Sequence, residues 1–293
     1  MEKGSSMALE GPRCDEAARA EGVPGALLKC MAMDSNRIGH CRQFIRAVLT
    51  ASLFTGVFAS AQAPTVPDWA LPGSATHKQV PPPADFHRAT TTVNTPIGIF
   101  DGQSDVGSAV APGSAAYDAA TKAYTIQSAG YNIWYTRDEF RFLWKKMAGD
   151  VSLAADASFP VPDGYGDRKV VLIIRQSLDD DSKEAMIGEH GTGMIHLAWR
   201  PETNAMITDT QYRFGGGLSG VMAKRIGIEK RGDTVAIFVS LKGEPMHQFG
   251  PPVEIHFDGP FYVGIGFCSH QPATIDTGML SDVVLENEAG GVR

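Results

Sequence analysis

The feature that most constrains the fold of this chain is a two-residue alternation of apolar side chains. The segment EFRFLWKK places Phe140, Phe142 and Trp144 on one face of an extended strand, and DVSLAADASF continues the same alternation. Successive side chains of a β-strand point to opposite faces of its sheet, so a period of two predicts half-buried strands. We interpret the three aromatic residues as core.

The other apolar segments follow the same rule. RKVVLIIRQ is a continuous apolar run that predicts a central strand, and AKRIGIEKRGDTVAIFVS predicts a hairpin around Arg231-Gly232-Asp233. FYVGIGFCSH and TGMLSDVVLE supply the last strands, and the only helix-like segment lies around residues 182–188. The sequence therefore predicts an all-β fold, a two-sheet antiparallel β-sandwich of the jelly-roll type over residues 96–288, followed by a C-terminal tail at 289–293.

The N-terminal part of the chain is predicted to direct export. Residues 33–61 combine arginines, an apolar stretch too short to span a membrane and the small-residue pattern Ala59-Ser60-Ala61, which predicts a signal peptide cleaved after Ala61. We interpret residues 1–32 as a disordered start-site extension and residues 62–95 as a Pro-rich extended arm. The mature protein is expected to be periplasmic or secreted, with membrane contact only through the uncleaved signal.

Charge and cysteine content exclude several classes of protein. The formal net charge is −7 and no basic run is present, so no nucleic-acid partner is expected. Only Cys268 lies after the predicted cleavage site, so neither an intramolecular disulfide nor a cysteine metal site can form in the mature chain. Cys268 is predicted to be a buried small hydrophobic residue.

Several aromatic and charged residues are candidates for ligand contact. Trp134, Tyr135 and Trp199 have polar neighbours and fit either a sugar-stacking platform or the core. Arg175 ends the central apolar strand, so it fits either a ligand contact or a structural pair with Glu139 or an aspartate of 179–181. Glu139 and Arg141 are expected to join the polar network of Arg175.

Metal and catalytic motifs are weak. Asp179, Asp180 and Asp181 are weak calcium candidates, because hard cations prefer several carboxylate oxygens, and no other cofactor is expected. Asp138 and Glu139 are adjacent, so a strand would point them to opposite faces and they do not suit a catalytic carboxylate pair.

Four segments carry a resemblance to a known family. They are GSAAYDAATKAYTIQSAGYNIWYTRDEFRFLWKKMAGDVSLAADASF, VVLIIRQSLDDDSKEAMIG, YVGIGFCSH and SDVVLEN, in that order. The chain resembles a bacterial family of secreted concanavalin A-like jelly-roll modules of the regulator-like DUF1349 type. It is also similar to acidobacterial proteins described as periplasmic components of the Tol biopolymer transport system.

The resemblance implies a non-catalytic module that recognises a carbohydrate or a cell-envelope glycan. The ligand-binding residues expected on this basis are Trp134, Tyr135, Glu139, Arg141, Arg175, Gln176, His196 and Trp199. Two alternatives stay open: a concanavalin-like glycoside hydrolase or lyase, and a periplasmic protein-interaction module associated with Tol-type envelope transport.

Overall fold

The computed structural model describes residues 87–215 and 221–293, and these residues contain seventeen β-strands and no helix. The strands are β1 Thr91–Val93, β2 Gly102–Val106, β3 Ser114–Asp118, β4 Ala123–Gly130, β5 Ile133–Trp134, β6 Arg137–Asp138, β7 Phe140–Met147, β8 Val151–Ser158, β9 Lys169–Arg175, β10 Glu184–His190, β11 Met194–Arg200, β12 Thr208–Arg213, β13 Arg225–Arg231, β14 Thr234–Ser240, β15 His247–Glu254, β16 Phe261–Cys268 and β17 Gln271–Glu286.

The strands form two large antiparallel sheets and one small hairpin. The eight-stranded sheet has the order β1-β2-β7-β16-β9-β10-β11-β12, and the seven-stranded sheet has the order β15-β14-β13-β8-β17-β4-β3. Strands β5 and β6 pair only with each other in a short hairpin. This architecture confirms the predicted all-β fold, a two-sheet antiparallel β-sandwich.

The main hydrophobic core lies between the two sheets. Strand β9 is central, as predicted, and pairs with β16 on one side and β10 on the other. Its residues Val170, Leu172 and Ile174 pack in one apolar cluster with Leu153 of β8 and Ile228 of β13, which belong to the opposite sheet. The period of two therefore sets which side chains fill the space between the sheets.

A second hydrophobic cluster lies on the outer face of the eight-stranded sheet, the face turned away from the seven-stranded sheet. The predicted trio Phe140, Phe142 and Trp144 is buried here, whereas Leu143 of the same strand packs between the sheets. Ile133 of the small hairpin joins the trio in this cluster. The core interpretation of the trio is confirmed, but its burial depends on the hairpin that covers the outer face.

Two sequence expectations are corrected by the structure. The prediction of a helix-like segment at 182–188 is wrong. Residues Glu184–His190 form strand β10 between two neighbouring strands, and this backbone pairing overrides local propensity. The sandwich also begins before residue 96, because β1 at Thr91–Val93 pairs with β2. The last residues of the expected arm are therefore an edge strand of the eight-stranded sheet.

The predicted extension at 1–32, the signal peptide at 33–61 and most of the arm at 62–95 lie outside the described residues. At the other end, the tail at 289–293 contacts the sandwich, since the backbone N–H of Gly290 donates to Glu229 Oε2 at 2.6 Å. Among the described residues, no helix is long and apolar enough to cross a membrane.

Glu189, an acidic residue that the sequence analysis did not single out, is buried between the sheets. Glu189 of β10 is fully buried on the core side of its strand. Its Oε1 accepts a hydrogen bond from the backbone N–H of Ala223 at 2.6 Å, and its Oε2 has no hydrogen-bond partner among the described residues. Burial raises the pKa of this carboxyl to about 8.

Glu189 should therefore make stability fall as pH rises. In the unfolded chain this carboxyl ionises near its ordinary pKa, whereas in the folded protein it holds its proton to about pH 8. The unfolded state binds fewer protons over that interval, so the free energy of unfolding decreases with rising pH. As the pH rises from about 6 to about 9, the melting temperature of Glu189→Gln should fall less than that of the wild type. The exposed Glu288→Gln is the control, and equal pH dependence in all three proteins would contradict the assignment.

Candidate functional site

The outer face of the eight-stranded sheet carries the polar side chains that could form a site. On β9, Lys169 and Arg175 mark the two ends of this face, and Val171 and Ile173 lie between them in the second hydrophobic cluster. Cross-strand register places Arg175 opposite Glu184 of β10. The face therefore consists of a polar end at Arg175, an apolar middle and a polar end at Lys169.

The small hairpin β5–β6 covers part of this face. Its Ile133 packs into the apolar middle, and its two-residue turn places Tyr135 at a φ of 53°. The carbonyl oxygen of Tyr135 accepts hydrogen bonds from the backbone N–H of Ile207 at 3.0 Å and from Arg200 Nη2 at 3.3 Å. These contacts hold the hairpin against the sheet.

A buried network of two arginines and two carboxyl groups closes the Arg175 end. Asp138 of the hairpin accepts hydrogen bonds from Arg175 Nη1 at 2.8 Å and from Arg200 Nη2 at 2.8 Å. Glu184 contacts Arg175 directly and lies 3.4 Å from Arg200 Nη1. All four side chains are 0% exposed. Each guanidinium group contacts both carboxyl groups, and this direct pairing offsets the cost of burying the two cations.

The pKa values of the two carboxyl groups in the network are shifted in opposite directions. Burial alone would raise the pKa of Asp138, but Arg200 and Arg175 together outweigh burial and lower it. Burial raises the pKa of Glu184 to about 7. Asp138 is therefore the ionised partner that ties the hairpin to both guanidinium groups.

The Arg175 network corrects part of the predicted ligand-binding set. Arg175 is fully buried and occupied by Asp138, Glu184 and the backbone carbonyl of Asp179, so the expected ligand contact is wrong. Of the structural partners that the sequence left open, Glu139 does not pair with Arg175, because its carboxylate lies 3.1 Å from Arg88 Nη1, and Asp179 accepts through its backbone carbonyl. Sequence alone did not indicate that Asp138 and Glu184, rather than Glu139, would face the guanidinium.

Three more predicted contacts have structural partners of their own. Glu139 is buried and its Oε2 also accepts the backbone N–H of Tyr131 at 2.9 Å. Arg141 pairs with Asp105 of the neighbouring strand β2 at 3.1 Å. The Gln176 side chain exchanges hydrogen bonds with the backbone of Asp258 at 2.7 and 2.8 Å, and so fixes the loop before β16.

Trp199 is placed on the wrong face for the predicted site. It packs against the cluster between the sheets, as do Ile195 and Leu197 of the same strand. His196 points to the opposite face. Because side chains alternate between the two faces of β11, Trp199 and His196 cannot contact the same ligand. The assignment of Trp199 to the ligand-binding set is therefore wrong.

Trp134 and His196 do come together, in a cleft at the Lys169 end of the outer face. The cleft has a volume of about 230 Å³. The indole of Trp134 stacks on the imidazole of His196, with ring centroids 5.6 Å apart and planes 3° from parallel. The cleft is lined by Asn132, Trp134, Asp167, Lys169, His190, Met194, His196, Gln211, Arg213 and His270.

Two buried imidazoles give the cleft its hydrogen-bonding capacity. The rings of His190 and His196 are 4.8 Å apart, and neither ring has a hydrogen-bond partner among the described residues. Burial, together with nearby cations, lowers the pKa of both histidines well below the ordinary value. Each is therefore neutral near pH 7 and offers one N–H donor and one acceptor nitrogen.

A glycine on the neighbouring strand lies opposite His196 and leaves room for its ring. Gly188 of β10 pairs with His196 of β11, and a Cβ at this glycine would collide with His196 Nε2. A glycine here leaves the space that the imidazole occupies.

Sequence reasoning found Trp134 and His196 but missed most of the cleft. Lys169 and His190 are opposite each other in the register of β9 and β10, and Arg213 lies on the edge strand β12 opposite Met194. The alternation within β9 and β11 places Lys169 and His196 on the face away from the core. A search for polar residues on that face would have found them.

The predicted calcium loop is not assembled. Asp180 accepts from His87 at 2.7 Å, the carboxylate of Asp181 lies 3.2 Å from Arg137 Nη1, and Asp179 contacts Ser177. Asp180 also lies 3.8 Å from Arg137 Nε, so all three carboxylates already have partners in the protein. Across residues 87–215 and 221–293, no group of three or more His, Cys, Asp or Glu side chains is arranged to hold a metal ion.

Comparison with solved structures finds similar folds at low sequence identity. A functionally unknown protein from Saccharomyces cerevisiae is 15% identical, with a TM-score of 0.48 over 69% of this chain and 97% of its own. A carbohydrate-binding module from Bacillus subtilis is 13% identical, with a TM-score of 0.39 over 68% of this chain and 96% of its own. An alginate lyase from Klebsiella pneumoniae is 11% identical, with a TM-score of 0.38 over 61% of this chain and 85% of its own.

No family model and no curated protein matches the chain, so membership of the DUF1349-type family stays a prediction. The function of this chain has to be derived from the residues of its cleft.

Breaking the buried network should release the hairpin. Asp138→Asn leaves two buried guanidinium groups with one carboxyl partner, which should lower the free energy of unfolding by about 3–5 kcal/mol. Urea denaturation measures this change. The control is Asp101→Asn, which removes an exposed pair with Lys145 and should cost at most about 1 kcal/mol. Equal losses in the two variants would show that the network does not stabilise the fold.

Proposed function

We propose that this chain is a non-catalytic carbohydrate-binding protein whose ligand occupies the cleft at the Lys169 end of the outer face. The observation that carries the proposal is the combination of an aromatic ring, Trp134, with two buried imidazoles, His190 and His196, that have no hydrogen-bond partner among the described residues. Buried polar groups left without partners are costly, so such groups in an open cleft favour a ligand that supplies them.

A sugar ring matches this combination chemically. Its C–H face packs on an aromatic ring, and its hydroxyl groups both donate and accept hydrogen bonds. A neutral imidazole also donates at one nitrogen and accepts at the other, so His190 and His196 suit hydroxyl groups without a change of charge. Gln211, which also lines the cleft, offers an amide with both functions.

A second aromatic residue extends the surface beyond the cleft. Tyr165 is 37% exposed and stacks on His270 of the cleft, with ring centroids 5.2 Å apart and planes 14° from parallel. It also lines a neighbouring depression together with Val161 and Ile275. A ligand longer than one sugar ring would pass from Trp134 towards Tyr165.

The arrangement of carboxyl groups supports binding over glycoside hydrolysis. Hydrolysis of this kind uses two carboxyl groups that flank one bond. The cleft is lined by one carboxylate, Asp167, among the described residues, and Asp138 and Glu139 are both occupied by arginines away from it. The neutral imidazoles could act as bases in a lyase reaction, so release of unsaturated products is the outcome that would replace the binding proposal.

The predicted signal peptide supports an extracytoplasmic site of action. Export would bring the cleft into contact with cell-envelope or environmental glycans, the partners that the sequence resemblance implies.

A pair of tryptophan variants tests the site. Trp134→Ala should weaken binding of the tightest oligosaccharide on a glycan array by about tenfold, because stacking contributes about 1–2 kcal/mol. Trp199→Ala is the matched control, since it removes the same side chain from the opposite face of the sheet. Titration calorimetry with the full chain, at a temperature where both variants are folded, measures the affinities.

Equal loss in the two variants would contradict the assignment of the cleft. Absence of binding to every glycan would contradict the function itself, and release of products during the assay would show an enzyme.

A further inference from the structure

The outer face of the eight-stranded sheet holds two buried cations on β9 with opposite environments. Arg175 at one end contacts the carboxyl groups of Asp138 and Glu184. Lys169 at the other end is equally buried, with 1% of its surface exposed. Among the described residues, no carboxylate oxygen lies within 4.0 Å of its ammonium group. The cation at one end of the strand therefore contacts carboxyl groups, and the cation at the other end does not.

The contacts of Lys169 are neutral. Its Nζ donates to Asn132 Oδ1 at 2.7 Å and lies 5.6 Å from the ring centroid of Trp134. An ammonium group has three donors, so this single hydrogen bond leaves capacity for a ligand. Burial lowers the pKa of Lys169, and the more distant carboxylates of Asp167, Asp138 and Asp209 act against this effect.

The groups around Lys169 do not supply a counterion. His190 and His196 are neutral, and the one carboxylate in the lining, Asp167, is about two-fifths exposed and lies 3.6 Å from His190 Nδ1. Arg213 adds a second cation to the lining. A buried ammonium without a contacting counterion is unfavourable, and an anionic ligand oxygen would relieve this cost.

We propose that the cleft selects sugars that carry an anionic substituent, a carboxylate or a sulfate, and that the ammonium group of Lys169 binds this substituent. The inference rests on the proposed function, because it specifies the ligand of the same cleft. The net charge of the chain is −7, so a general attraction for polyanions does not account for such selectivity. The selectivity depends instead on one buried cation.

The experiment compares sugars with and without an anionic substituent, and the oligouronide with its methyl ester is the pair that shares one sugar ring. Binding of the full chain is measured for oligouronides, for their methyl esters, for sulfated galactan oligosaccharides and for neutral gluco-oligosaccharides. The methyl ester keeps the sugar ring and removes the charge. We expect the wild type to bind an oligouronide or a sulfated oligosaccharide at least about tenfold more tightly than the uncharged forms, and the tighter of the two identifies the substituent.

The variant Lys169→Met tests the residue. Methionine has a similar length and no charge, so the preference for anionic over uncharged sugars should disappear. The unliganded variant should be at least as stable as the wild type, because it lacks a buried charge without a contacting counterion. Lys145→Met removes a partly exposed lysine that pairs with Asp101 and should retain the preference.

The outcomes separate this inference from the proposed function. Equal affinity of the wild type for charged and uncharged sugars would overturn the inference and leave the proposed function standing. A Lys169→Met variant that keeps the anionic preference would also overturn it. Absence of binding to all four ligand classes would overturn both.

Discussion

The buried contact between Asp138 and the two arginines, Arg175 and Arg200, is the interaction on which the outer face depends. A β-sandwich needs only its inner faces covered, and its outer faces usually meet water. Here the hairpin covers an outer face, and its aspartate supplies the charge that makes burial of two guanidinium groups tolerable. Without that carboxylate, Glu184 would face both cations alone. The network thus attaches the hairpin and defines where the covered part of the sheet ends.

Attachment of the hairpin also explains the apolar middle of the face. Phe140, Phe142 and Trp144 would form a large exposed patch on an uncovered sheet, and Ile133 packs with them in one buried cluster. Trp134, the next residue of the hairpin, reaches beyond this cluster to stack on His196. One short element therefore serves three zones of the face: it pairs charges at one end, buries aromatics in the middle and supplies an aromatic wall at the other end.

Alternation explains how much could be predicted. The core-facing side chains of β8, β9 and β11 follow directly from a period of two, and they suffice to predict the sandwich. The same rule, applied to β11, already separates Trp199 from His196, so the error in the predicted site came from choosing residues by type instead of by face. Other errors had no local signal. The partners of Arg175 come from a hairpin and a neighbouring strand, and the strand at 184–190 is recognisable only through its pairing with β9 and β11.

The two ends of β9 show how the same residue class can serve stability at one place and recognition at another. Lys169 and Arg175 are the first and last of the seven residues of β9 and lie on the same face, so the strand itself does not distinguish them. Their neighbours do: the cross-strand partner is a carboxyl group, Glu184, at one end and an imidazole, His190, at the other. The network at Arg175 pairs its charges and is fully buried, so a ligand cannot reach it. An ammonium group beside neutral rings has no contacting counterion in the folded state. An anionic ligand can compensate its charge.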